Sequence, residues 1–178
     1  MAKADFDLLA KTWTHSALTW KQKLRVYASL VESKLLHAMA TLTLTVAQTR
    51  KLNGFQNRCI RKVIGVPPSF LSRVSNASVL RKAGYTQASD LLRKKRLQLF
   101  GKVLRVDAMH PLRRACFIPE TFIPVTECYV RRVGRPSKEW ITEVMQEARA
   151  LFGNMEGAST VAQSKVAWNR ALSDKLGF

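Results

Sequence analysis

The side chains in this chain best suited to chemistry are clustered cations. Arg93, Lys94, Lys95 and Arg96 form a compact basic run, and Lys102 and Arg105 extend it. Upstream, Arg50, Lys51, Arg58, Arg61 and Lys62 decorate another segment. Downstream, Arg131, Arg132, Arg135 and Lys138 surround a Gly-Arg-Pro sequence. Between Arg50 and Arg114 there are 16 Arg or Lys and only Asp90 and Asp107 as acids, a local net of +14. Guanidinium and ammonium groups on successive helical turns can follow a phosphate backbone without reading bases. The guanidinium adds a two-bond fork that matches a phosphate edge. The chemistry expected is therefore phosphate binding, with RNA or DNA as partner. The blander reading of Arg93 to Arg96 is an ordinary solvated helix face. At Gly134-Arg135-Pro136 two readings stand side by side. One is entry into a narrow minor groove, where negative potential attracts Arg. The other is a basic turn before a helix capped by Ser137.

Other chemistries find little support. His15, His37 and His110 are far apart, and Cys59, Cys116 and Cys128 form no CxxC pair or finger spacing, so no metal or other cofactor is expected. No Gly-rich phosphate cradle is present. Nothing places Ser, His and an acid as a triad, and the acids are too scattered for a two-metal centre. No enzyme is expected.

The whole chain has 178 residues, 47% hydrophobic, with a formal charge of +18. That hydrophobic content can bury a core, which argues against wholesale disorder. Such a charge excess is self-repulsive unless phosphates or acidic partners offset it. An odd cysteine count makes a reducing, intracellular compartment the expectation, with nucleus, ribonucleoprotein assembly and organelle all open. No apolar run approaches a membrane span. The first 13 residues, with Asp5 and Asp7, lack a signal-peptide core.

The elements that must position the cations read as helices. A short helix is expected over 5–13, with Phe6, Leu9 and Trp13 on one side. Thr19-Trp20-Lys21-Gln22 and Thr45-Val46-Ala47-Gln48 fit capping boxes. The first opens a helix with Leu24, Tyr27, Leu30, Val31 and Leu35 on its apolar face, and Lys34 at the edge. The second opens a helix with Leu52, Phe55, Cys59, Ile60 and Val63, closed by Gly65 and stopped by Pro67-Pro68. Ser75 caps a helix ending at Gly84. Residues 87–106 form the clearest amphipathic segment, with Leu91, Leu92, Leu97, Phe100, Val103 and Leu104 on one side. His110-Pro111 breaks the pattern, and 112–130 reads as extended or irregular. A helix from Ser137 to Gly153 and a last one from about Ser159 to Leu176 complete the chain; Val166 is read as widening the apolar face of the last. The expected fold is all-α, a small irregular domain of four to six helices with a proline-containing extended arm. Its divisions are a basic helical core at 1–110, the arm at 111–136 and a C-terminal helical pair at 137–178.

Five stretches occur in an order that resembles a known pattern: KLRVYASLVESKLLHAMATLTLT, RKLNGFQNRCIRKVIGV, VSNASVLRKAGYTQASDLLRKKRLQLFGKVLRV, HPLRRACF and GRPSKEWI. Together they resemble the region downstream of the reverse-transcriptase domain in non-LTR, LINE-like retrotransposon polyproteins. The resemblance covers about residues 20–145. It implies a region that helps hold template RNA or target DNA. By resemblance, Lys51, Arg58, Arg61 and Lys62 belong to an FQNRC-like helix, with Phe55 and Ile60 packing. Arg93, Lys95, Arg96 and Leu97 match a basic helix, followed by Phe100 and Gly101 where members carry an aromatic and Gly. Arg135, Pro136 and Trp140 match a GRP…W element. The chain departs where members have Tyr-Gly and it has His37-Ala38, and where they often have Trp and it has Leu42. The polymerase's Tyr/Phe-x-Asp-Asp sequence is absent. Two functions follow as expectations: a noncatalytic RNA/DNA-binding accessory module, or a structural subunit recruited to a larger protein or ribonucleoprotein complex. For the second, Trp13, Trp20, Trp140 and Trp168 are either core residues or interface anchors.

Overall fold

The computed structural model describes residues 2–128 and 139–177. Among the described residues it is all-α, but with twelve α-helical segments, eight of them seven residues or longer. The expectation of four to six helices is thus corrected. Two causes account for the difference. Segments read as one helix are broken in two, and prolines read only as stops also start helical turns.

The N-terminal segment breaks at Leu9 into α1 (Ala2–Leu8) and α2 (Ala10–Thr14). The chain's last segment breaks at Gln163–Ser164 into α11 (Met155–Ala162) and α12 (Lys165–Leu176). There the Ser164 hydroxyl accepts from the Ala167 N–H and caps the second piece. Pro67-Pro68 leads directly into the short α6 (Ser69–Ser72). Pro111 is the first residue of α9 (Pro111–Arg114), where His110 Nδ1 accepts the Leu112 N–H at 3.1 Å. A proline at a helix start has its φ pre-set and lacks only an N–H that would be orphaned anyway.

Both capping boxes form. Thr19 opens α3 (Trp20–Val26) and Thr45 opens α5 (Val46–Val63), and in each the Thr and Gln side chains exchange bonds with backbone N–H groups. After α3 the helix widens to π geometry over Tyr27–Glu32 and resumes as α4 (Ser33–Leu35). Ser75 caps α7 (Asn76–Ala83), which ends at Gly84 with φ 60°.

The chain divides into two compact units: Met1–Ala40 with Leu44–Leu92, and Thr41–Thr43 with Arg93–Phe178. The division falls inside α8 (Ala88–Arg105). The core of the first unit is built on Phe6, Trp13, Tyr27, Val31, Ile60 and Val79. Trp13 stacks on Phe6 at 5.0 Å, and its indole N–H donates to the Phe6 carbonyl at 2.9 Å. Two polar side chains of α5 hold the start of α8. Buried Gln56 accepts the Ala88 N–H at 2.7 Å, and Asn53 accepts the Ser89 N–H at 3.0 Å. Helix starts leave such donors without intrahelical partners, so α5 supplies the cap that α8 lacks in its own sequence.

The second unit packs Leu97, Phe100, Val103 and Leu104 of α8 with Val144 of α10 (Trp140–Phe152) and with Trp168 and Leu172 of α12. The arm, expected to be extended or irregular, carries the short α9 and is irregular from there to residue 128. After α9, Phe117 bridges Pro124 in antiparallel fashion, Val125–Cys128 makes a 3-10 turn, and Phe117 is buried in the core. The remainder of that arm, and Ser137 as a cap, lie outside the described residues. Val166, expected to widen an apolar face, is 77% exposed.

Candidate nucleic-acid interface

In α5, one turn covers 3.6 residues, so Lys51, Arg58 and Lys62 fall within about 40° of one another, along roughly 16 Å of axis. All three are exposed, as is Arg50 on the neighbouring row. None of the four appears in an ion pair among the described residues. The helix and its flanks carry no acid of their own, since no Asp or Glu occurs from Ser33 to Ser89. The Lys62 ammonium stands 5.6 Å from the centre of the Phe6 ring. Gly54 lies between the cationic rows, and a Cβ there would meet nothing within 4 Å.

Arg61 is different. It is 5% exposed, and its guanidinium donates to Asn76 Oδ1, the Pro67 carbonyl, Ser72 Oγ and the Val74 carbonyl. It ties down the loop around α6 and has no free edge for a phosphate. Beyond it, a groove of about 650 Å³ runs past Arg58, Lys62, Val66 and Pro68. Phe70 and Leu71, 77% and 66% exposed, stand out from α6.

The basic run of α8 is largely engaged within the second unit. Arg96 meets Glu143 at 2.8 Å with its side chain only 11% exposed, and Arg93 meets Glu147 at 3.7 Å. Lys94 donates to Ser173 Oγ at 3.0 Å. Arg105 donates to the Ala162 carbonyl at 3.1 Å. Lys95 and Lys102 are exposed. Four consecutive residues of a helix point about 100° apart, so they cannot share one face. Arg131, Arg132, Arg135 and Lys138 lie outside the described residues.

A second set of cations escaped the sequence reading. Lys21 and Arg25 of α3 and Arg81 and Lys82 of α7 line a groove of about 460 Å³ with Trp20. The Lys21–Arg25 spacing puts that pair on one side of a helix, Arg81 and Lys82 are adjacent, and the two pairs lie some sixty residues apart in the sequence.

Among the described residues no group of three His, Cys, Asp or Glu could hold a metal ion. His15 and His110 instead accept backbone N–H groups. A nucleophilic thiol is held low by positive surroundings, whereas burial pushes Cys59 from its ordinary 9.0 up to about 12, against the lowering effect of Arg58. Burial also raises Cys116. Among the described residues no helix is long and apolar enough to cross a membrane.

No family model matches the chain, and neither the curated proteins nor the solved structures yield a match.

Proposed function

We propose that the chain is a noncatalytic nucleic-acid-binding accessory module that grips a phosphate backbone with Arg50, Lys51, Arg58 and Lys62 of α5. The observation that carries this reading is the set of four exposed cations in a stretch with no acid from Ser33 to Ser89. Cations already paired inside a fold add little to a field outside it, so unpaired ones dominate attraction of a polyanion. Lys95 and Lys102 are secondary contacts. Arg61 and Arg96 are withdrawn from the binding set, because internal partners hold their guanidinium groups. The resemblance to the region downstream of a retroelement reverse transcriptase agrees with this reading and supplies an origin for it.

A second reading is a recruited structural subunit of a protein or ribonucleoprotein complex. Exposed Phe70 and Leu71 favour it, since apolar side chains beside a groove are typical anchors.

Binding to labelled single-stranded and duplex oligonucleotides across a salt series tests the first reading. Four released counterions should cost roughly 50- to 150-fold in affinity between about 50 and 200 mM salt. Reversing Lys51, Arg58 and Lys62 to Glu should abolish most of that dependence while leaving the far-ultraviolet spectrum unchanged. Equal affinity and equal salt slope in the reversed protein would overturn the reading and favour a protein partner.

A further inference from the structure

The groove between α3 and α7 combines features that the α5 stripe lacks. Trp20 is the first residue of α3, and the Thr19 capping box fixes where that helix starts. Trp20 is 40% exposed, whereas Trp13 and Trp168 are 3% and 1% exposed. The Lys21 ammonium lies 5.6 Å from the centre of the Trp20 ring. Leu24 and Ala28 follow Trp20 at four-residue intervals and floor the groove, while Arg81 and Lys82 approach from the last turn of α7. No acid lines it.

The charge is not explained by helix electrostatics alone. Arg81 and Lys82 sit near the C-terminus of α7, where cations are favoured by the helix dipole. Lys21 and Arg25 gain nothing comparable, because α3 continues through the π turn into α4. Holding cations from two helices around one cleft is repulsive unless an anion enters it. At about 460 Å³, the cleft falls within the ~300–1,000 Å³ range of small-ligand sites, the size class of a single nucleotide. An exposed indole beside such cations is the pairing that binds unpaired bases, since every base has a face to stack and a phosphate to neutralise.

We infer that this groove takes one unpaired nucleotide of a single strand, its base stacked on Trp20 and its flanking phosphates held by Arg25, Arg81 and Lys82. A base inside a duplex has both faces covered by its neighbours and cannot occupy the site. The inference rests on the nucleic-acid-binding reading above and specifies the form of nucleic acid.

The test uses the full chain and labelled oligonucleotides, single-stranded and duplex, of the same sequence. Trp20→Ala should weaken single-strand binding roughly 5- to 150-fold, the range for one stacked base, and leave duplex binding unchanged. Trp20→Phe should keep most of the affinity but lose the indole fluorescence quenching that the single strand produces in the unsubstituted protein. Arg81→Glu with Lys82→Glu should also weaken the single strand selectively. If Trp20→Ala binds both forms as well as the parent does, while the α5 reversal still weakens them, the inference fails and the broader reading survives. An equal loss on both forms would also overturn it. No binding of either form by the parent would remove both.

Discussion

Two glycines sit in the interiors of 18-residue helices, Gly54 in α5 and Gly101 in α8, and the same change to Ala should move stability in opposite directions. Ala is favoured over Gly in a helix interior by about 0.8–1 kcal/mol. At Gly54 nothing lies within 4 Å of a new Cβ, so Gly54→Ala should keep that gain, about 0.4–1 kcal/mol in folded proteins. At Gly101 the new Cβ would stand 2.3 Å from Trp168 Nε1 and 2.6 Å from Cε2. The indole has no easy retreat. It stacks on Phe152 at 4.7 Å, its N–H donates to the Leu97 carbonyl at 2.9 Å, and it is 1% exposed. Overpacking costs about 1–3 kcal/mol, and a buried N–H left without a partner costs a further ~1–3 kcal/mol. Less the propensity gain, Gly101→Ala should destabilise by about 3 kcal/mol. For a chain of this size that is roughly 6–12 °C in Tm, against a rise of about 1–4 °C for Gly54→Ala. Denaturant and thermal unfolding followed by tryptophan fluorescence and circular dichroism would measure both. A shrunken side chain at 168 should relieve the clash, so Trp168→Phe should cost less in the Gly101→Ala background than alone. A neutral or stabilising Gly101→Ala would refute the packing of Trp168 against α8.

Two further outcomes follow from the buried groups. Arg61→Met should destabilise the first unit by about 3 kcal/mol, as loss of a buried, multiply bonded cation does, and should expose the loop around α6 to protease; the salt slope of nucleic-acid binding should not change, and a fall of about 0.9 per released ion would show Arg61 to be a phosphate contact after all. Stability should also fall in alkali. Burial raises Cys59 from 9.0 to about 12 in the fold and also pushes Tyr27 and Tyr85 well above their usual range, Glu32 adding to both. The folded state therefore holds protons that the unfolded chain loses first. The Cys59 contribution is fully present below about pH 9 and is lost as pH rises toward 12, at up to about 1.4 kcal/mol per pH unit. Urea titrations from pH 7 to 11 on the parent and on Cys59→Ala would check it, with a flatter profile expected in the variant and an identical one refuting the assignment.

The parts of the fold that were legible in the sequence are those set by local exchange between side chain and backbone. The Thr19 and Thr45 boxes and the Ser75-to-Gly84 helix depend on residues no more than nine positions apart, and all three form. Leu30 illustrates what defeats a regular period. Its spacing puts it on an apolar stripe with Tyr27 and Val31, yet it is 46% exposed while those two are fully buried. The π turn over Tyr27–Glu32 inserts extra residues per turn and rotates the face. The basic run of α8 shows a different limit. Its partners Glu143 and Glu147 lie some fifty residues away on α10, and nothing local announces them. The Trp20 groove is not visible in the sequence because its two pairs of cations come from helices some sixty residues apart.

Separating paired from unpaired charge changes where a polyanion is expected to act. In the second unit, Glu143 and Glu147 of α10 answer Arg96 and Arg93 of α8, so the densest basic run in the sequence is partly neutralised by the fold that carries it. In the first unit, Asp5 and Glu32 are engaged with groups other than the α5 cations, while Asp7 lies close enough to α5 to act on Cys59. Asp5 meets Lys34 at 2.9 Å, and Glu32 accepts from Tyr85 and Gln56. That leaves the cations of α5 and α7 in a stretch whose own sequence contains no counter-charge from Ser33 to Ser89, with Lys21 and Arg25 of α3 just upstream of it. Their mutual repulsion opposes folding in isolation and is relieved when an external anion binds. A ligand that binds only the folded state stabilises it in proportion to the logarithm of its concentration over Kd, so a phosphate polymer should raise the Tm of this protein, and the Lys51, Arg58 and Lys62 reversal should remove most of that rise. Inorganic phosphate matching the effect of the polymer would mean that the charges need only any anion and that no extended strand is bound.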